Sequence, residues 1–265
     1  MASFVDTTGT RIAWDQTGDG PDLLLVMGHR WSRRMWHPVI ERLRQEFRVI
    51  ALDNRGAGES ATPSQPYTLS AMSADALAVL DAAGVRRAHV FGVSMGGAIA
   101  QDLAVSHPER VDRLVLGCTG LFTAERTKVT PLRRLGYRIP DRLTNLAGRK
   151  LLYGQIRATP DIRRDLTVLA GERTSYQGLI GQAHAMSTNT VRPDDLRALR
   201  HTTLVLHGAL DQVIPLAWGT ELADLIPNSS SVVFPRAGHN FMATDSEATC
   251  DAVIDFLHKS AQTKA

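Results

Sequence analysis

Short apolar runs alternate with stretches of helical periodicity along this chain. Leu23-Leu24-Leu25-Val26-Met27 is unbroken apolar sequence after Gly20-Pro21, the pattern of a strand buried on both faces. Phe4-Val5, the turn Thr8-Gly9 and Arg11-Ile12-Ala13-Trp14 predict an opening hairpin. A helix is expected over Met35 to Gln45, a strand over Phe47 to Leu52, and a helix over Ser70 to Ala83 closed by Gly84. Strand Ala88 to Val93, helix Ser94 to Ser106 and strand Arg113 to Gly117 follow. This alternation predicts a parallel sheet with right-handed crossovers. From Leu121 to about Leu196 the pattern is helical and shows no clear strand. It resumes with strand Thr203 to Leu206, a helix near Trp218 to Leu225, strand Ser231 to Phe234 and a closing helix Ser246 to Lys259.

The expected organisation is therefore a core over residues 1–120 and 197–265, with a helical insertion, 121–196, between two strands. An insertion above the C-terminal ends of the strands is placed to roof a site, because open α/β sheets bind ligands there. The 265 residues suffice for one such domain. No run approaches the ~18 apolar residues of a membrane helix, and the N-terminus lacks the basic-then-apolar pattern of a signal peptide. The distant Cys118 and Cys250 read as free buried thiols, so a cytoplasmic protein is expected.

A net charge of +3 is too small to argue for nucleic acid, but its distribution is uneven. Leu121 to Thr190 carries twelve Lys/Arg against five Asp/Glu, a balance of +7, which leaves −4 for the remainder.

The chemistry concentrates at Phe91-Gly92-Val93-Ser94-Met95-Gly96-Gly97, a Gly-x-Ser-x-Gly string joining an apolar strand to a helix. In that context the turn exposes the Ser94 hydroxyl, and Gly92 and Gly96 permit close passage of strand and helix. The same chain carries Asp53-Asn54-Arg55-Gly56-Ala57-Gly58-Glu59-Ser60 after a strand, His207-Gly208-Ala209-Leu210-Asp211-Gln212-Val213-Ile214-Pro215, and Ala237-Gly238-His239. With these motifs in the order Ser, Asp, His, nearly the whole sequence resembles the α/β-hydrolase superfamily. Within it the chain is most similar to small capped esterases and lactonases, a branch with 3-oxoadipate enol-lactonases, polyketide methylesterases and cofactor-free haloperoxidases. The resemblance implies a mostly parallel eight-stranded sheet flanked by helices.

A serine hydroxyl needs a base, and the base needs an orienting acid. Of nine histidines, His239 is the one in a late loop between a strand and the final helix. Asp211 follows a strand end and precedes the stiffening Pro215, whereas no carboxylate follows the preceding strand until Glu125. Asp53 matches a structural turn of the family. The oxyanion hole is expected from the backbone N–H of Met95 and of His29, since Met27-Gly28-His29 stands where relatives usually read His-Gly-x. The His29 imidazole would then point into the pocket.

The loop His29-Arg30-Trp31-Ser32-Arg33 is cationic and aromatic, which makes Arg30, Trp31 and Arg33 candidate substrate contacts for an anionic or polar-aromatic group. Arg133-Arg134 and Arg163-Arg164 read as helix-surface charges, while Tyr153 and Tyr176 are expected to wall an apolar pocket.

Together these residues predict a serine hydrolase that cleaves a small carboxylic ester or lactone, with no cofactor, metal, nucleic acid or membrane partner. Perhydrolysis or C–C bond hydrolysis by the same triad, and slow-turnover ligand reception on the same fold, remain open alternatives.

Overall fold

The apolar runs assemble into one eight-stranded sheet. In the computed structural model, which describes residues 2–127, 149–154, 159–172 and 174–259, the strands are β1 (Ser3–Thr7), β2 (Thr10–Thr17), β3 (Asp22–Val26), β4 (Arg48–Leu52), β5 (Ala88–Val93), β6 (Val111–Gly117), β7 (Thr203–Gly208) and β8 (Ser229–Phe234). Their order is β1-β2-β4-β3-β5-β6-β7-β8. Only the β1–β2 and β2–β4 pairings are antiparallel. The remaining ladders, from β4 through β8, are parallel.

Strand periodicity divides the core. Leu24, Val26, Ile50, Leu52 and Val90 face Met72, Ile99 and Leu103 on one side of the sheet. Their neighbours Leu23, Leu25, Val49, Ala51 and Phe91 face Trp36, Phe47, Val253 and Phe256 on the other. Central strands covered on both faces need no polar alternation, which is why they read as continuous apolar runs.

The helix expected over Met35 to Gln45 is two pieces, a 3₁₀ turn at Arg33–Trp36 and α1 (Ile40–Leu43). Pro38 lies between them and has no N–H to donate, so the ladder cannot run through. α2 (Leu69–Ala82) opens on the Thr68 side chain, which accepts from Ala71 N–H, and is followed by Gly84 at φ 71°. α3 (Met95–Ser106) starts directly after Ser94. Between β6 and β7 the described residues contain α4 (Ala124–Thr127), a helical turn over 149–153, α5 (Pro160–Ala170), α6 (Tyr176–Ser187) and α7 (Pro193–Ala198). Arg133 and Arg134 lie outside the described residues. After β7 come α8 (Leu216–Leu225), α9 (Phe241–Thr244) and α10 (Ser246–His258). Among the described residues no helix is long and apolar enough to cross a membrane.

The packing around the β5–α3 connection leaves no room for side chains at two positions. A Cβ on Gly96 would sit 2.0 Å from the Val26 carbonyl oxygen, and one on Gly92 would sit 2.2 Å from that of Gly96. Both neighbours are backbone, so the clash has no easy relief. Gly96→Ala is therefore expected to lower stability by about 3 kcal/mol or more. Gly84→Ala, which meets nothing within 4 Å but keeps a positive φ, should cost only about 1 kcal/mol. Urea unfolding midpoints of the two variants check the contrast.

Candidate active site

Ser94 lies where β5 turns into α3, and its backbone is held at φ 55°, ψ −121°. That conformation is strained for a residue with a Cβ, and the surroundings over-determine it. Ser94 N–H donates to the Gly117 carbonyl at 2.8 Å, while the Ser94 carbonyl accepts from the Thr119 hydroxyl at 2.8 Å and from Gly97 N–H at 3.0 Å. The neighbouring strand thus fixes the turn from both sides.

His239 and Asp211 come to Ser94 from the ends of the next strands. The His239 Nε2 is 3.1 Å from Ser94 Oγ, and its Nδ1 is 2.8 Å from Asp211 Oδ2. A carboxylate only accepts, so Nδ1 carries the proton and Nε2 is left to accept from the serine hydroxyl. Asp211 Oδ1 accepts from Val213 N–H at 2.8 Å and Ile214 N–H at 2.9 Å. His207 Nε2 donates to the Ile214 carbonyl at 3.0 Å and lies 3.4 Å from Asp211 Oδ2. Burial alone would push the Asp211 carboxyl up. The His239 ring, the His207 donor and the Ile214 N–H together outweigh it and hold the group well below the usual carboxylate range. Asp211 is accordingly a fixed anion facing the imidazole.

The loop after β3 supplies the remaining wall. A Cβ on Gly28 would lie 3.1 Å from Ser94 Cβ and 3.3 Å from the Val93 carbonyl, so the Gly28–His29 peptide passes directly beside the serine. Asn54 Nδ2 donates to the Met27 carbonyl at 2.7 Å and steadies the approach. The His29 Nε2 sits 3.0 Å from the Leu179 carbonyl of α6, which links the imidazole to the insertion.

The three candidate substrate contacts part company. The Arg30 main chain adopts φ 72° and is bound to residues of the insertion. Trp31 is half-buried and packs against the apolar core. Arg33 is not brought to the site. Its guanidinium bonds Asp15 at 2.8 Å, Asp53, and Glu59 at 2.6 Å, with Asp53 fully buried. Burial disfavours the Arg33 charge, and these carboxylates reverse the effect, so its pKa is raised above the ordinary value. Asp53 also accepts from Arg33 N–H at 2.7 Å and Glu59 N–H at 2.8 Å, a turn-forming role.

Tyr153 and Tyr176 also depart from expectation. Tyr153 is fully buried and donates to Asp165 Oδ2 at 2.6 Å, and Asn240 donates to the same oxygen at 2.7 Å. Asp165 Oδ1 lies 2.9 Å from His37 Nε2, which ties α5 to the core next to the His239 loop. Tyr176 begins α6 and is 41% exposed.

The contact of His207 with Asp211 is not among the sequence-based expectations, although a histidine four residues before the acid at the end of an apolar strand is a usable signal for it. Cys118 sits at the end of β6 with φ 36°, and its sulfur, an Asp211 oxygen and a His239 nitrogen lie within 4.8 Å of one another. A metal ion there would need a Cys118 thiolate and would take the carboxylate from His239. Burial instead pushes the Cys118 thiol well up.

A family model described as alpha/beta hydrolase fold matches residues 23–151, and one described as TAP-like protein matches residues 169–264. A 2-hydroxymuconate semialdehyde hydrolase of Pseudomonas putida is 32% identical over 240 residues, 82% of this chain and 79% of that protein. The chain belongs to the α/β-hydrolase family. Two further α/β-hydrolase relatives match over almost their full length. A pimeloyl-[acyl-carrier protein] methyl ester esterase of Vibrio campbellii is 28% identical, covering 93% of this chain and 98% of that one. The crystal structure of the enol-lactonase from Burkholderia xenovorans LB400 superposes with TM-score 0.84 at 26% identity, covering 97% of this chain and all of that one.

The Arg33 cluster yields a test that separates its two readings. Arg33→Met leaves Asp53 buried without its cation and is expected to cost about 3 kcal/mol of stability. It should leave unchanged the kcat/KM ratio between a carboxylate-bearing ester and its neutral methyl-capped analogue. Denaturation and paired kinetics measure both quantities.

Proposed function

We propose that this α/β-hydrolase is a serine hydrolase of small carboxylic esters or lactones, working through an acyl-enzyme. The observation that carries the reading is the continuous relay Ser94 Oγ–His239–Asp211 at 3.1 and 2.8 Å, with the imidazole tautomer set by an anion. His239 takes the Ser94 proton as Oγ attacks the carbonyl carbon, and the Asp211 carboxylate stabilises the imidazolium that forms. The backbone N–H groups of His29 and Met95 hold the tetrahedral oxyanion. His239 then returns its proton to the leaving alkoxide. Water, deprotonated by the same imidazole, releases the acid and restores Ser94. The helices described within 121–196 act as a cap over the strand ends, and the chemistry calls on no cofactor.

The similarity to an esterase and to an enol-lactonase supports ester-type substrates. Similarity to a 2-hydroxymuconate semialdehyde hydrolase favours one second reading, C–C bond hydrolysis by the same side chains. A panel of methyl esters, lactones and vinylogous diketones tests the pair. Faster turnover of the diketones would replace ester cleavage with C–C cleavage, and saturable ligand binding without turnover would replace both with a receptor.

Ser94→Ala is expected to fold normally and lose at least roughly 10³-fold in kcat, because the covalent route disappears. An alkyl fluorophosphonate should add to the wild-type protein at Ser94, read by peptide mass, and should not label the variant. Asp211→Asn should lose roughly 10⁴-fold in kcat, since an amide facing Nδ1 no longer selects the productive tautomer. Retention of more than about a tenth of the wild-type rate by either variant would sink this assignment.

A further inference from the structure

We infer that Gln182 of α6 is a positioning residue for the oxyanion loop, holding the strained main chain of Arg30 so that the His29 N–H points at the reacting carbonyl. The inference rests on the reading of Ser94 and His29 given above. Arg30 is one of the non-glycine residues with positive φ, at 72°. A side chain disfavours that conformation, so the loop needs external restraint to keep it. The restraint comes from the insertion. Gln182 is fully buried, its Oε1 accepts from Arg30 N–H at 2.7 Å, and its Nε2 donates to the Arg55 carbonyl at 2.9 Å. The amide is therefore clamped at one end by the Asp53–Ser60 turn and grips the loop with the other. On the far side of Arg30, the Thr174 hydroxyl donates to the Arg30 carbonyl. Glu172 accepts from both the N–H and the hydroxyl of Ser32, at 2.6 and 2.8 Å.

The helix can reach this far because of a glycine contact. A Cβ on Gly178 would sit 2.2 Å from the Gly56 carbonyl oxygen, so α6 lies directly against the turn that holds Gln182. Without the Gln182 acceptor, the Arg30 N–H loses this hydrogen bond and the left-handed main chain loses one of the contacts that restrain it. The preceding His29 N–H then loses its aim. Since an oxyanion donor matters most when charge has developed on the carbonyl oxygen, the effect falls on the transition state rather than on substrate binding.

The test uses three variants with an ester that the wild-type protein turns over. Gln182→Met keeps length and volume but cannot accept from Arg30, and is expected to lose about ten- to a hundredfold in kcat with KM nearly unchanged. Gln182→Glu keeps an acceptor for Arg30 N–H but loses the donor to the Arg55 carbonyl, so its kcat should lie between those of the wild type and Gln182→Met. Thr174→Val releases only the carbonyl side, is half-buried and should fold. Its kcat is expected to fall by several-fold at constant KM, which keeps the inference falsifiable should Gln182→Met fail to fold by thermal melting. Affinity for a boronic acid, which mimics the tetrahedral adduct on Ser94, should fall in step with kcat across the series. A folded Gln182→Met with wild-type kcat, or a Thr174→Val indistinguishable from wild type, would each overturn the positioning role while leaving the serine-hydrolase reading intact. A wild-type protein that neither turns over esters nor reacts with fluorophosphonate at Ser94 would overturn that reading and this one together.

Discussion

The molecule is arranged around the close approach of α3 to the strands β3 and β5. Ser94 reverses the chain from strand to helix in one residue, which requires a positive φ and places the next turn of backbone almost in contact with Val26 and Met27. Only glycine at 92 and 96 leaves space for that approach. The exposed hydroxyl is the visible result, but the geometry also aligns the sheet. Consecutive strands β5, β6, β7 and β8 deliver Ser94, Cys118, Asp211 and His239 at their C-terminal ends, so groups far apart in sequence meet within hydrogen-bond reach. A site assembled from strand ends inherits the stiffness of the sheet.

Three buried aspartates show how little residue type decides by itself. Asp53 is consumed by Arg33 and by two backbone N–H groups, and its role is to shape a turn. Asp165 gathers Tyr153, Asn240 and His37, joining a helix of the insertion to the loop that carries His239. Asp211 keeps one oxygen for backbone donors and presents the other to two histidines, one of which reaches on to Ser94 Oγ. Each is nearly inaccessible to solvent. What separates them is where the partners lead: to a turn for Asp53, to a join between insertion and core for Asp165, and to a serine hydroxyl for Asp211.

This explains which features were legible in the sequence. The strands, the order of the motifs and the residues Ser94, Asp211 and His239 could be read because each depends on local pattern, namely an apolar run followed by a specific turn. The break at Pro38 was legible in principle, since a missing N–H interrupts any helix, but the apolar periodicity on both sides masked it. Arg33 was not legible. Its partners Asp15, Asp53 and Glu59 are brought together only by the pairing of β2 with β4 and the turn after it, so an arginine beside the site looked like a ligand for substrate. The orientation of the His29 ring was hidden for the same reason, since it depends on Leu179, 150 residues away in sequence.

The two halves of the site consequently have different origins of rigidity. The nucleophile turn is stiff because of backbone packing inside the sheet and would keep its shape whatever lay above it. The loop from Gly28 to Arg33 is tied to the core near its ends by Asn54 and Asp53, and between them side chains of the segment between β6 and β7 hold it through Gln182, Thr174 and Glu172. Sequence change in that segment can therefore move the loop beside Ser94 while Ser94, His239 and Asp211 stay where the sheet puts them. The same residues of the insertion that reach the Asp53–Ser60 turn therefore also restrain the backbone beside Ser94, so a change in their packing reaches that backbone through side-chain contacts alone.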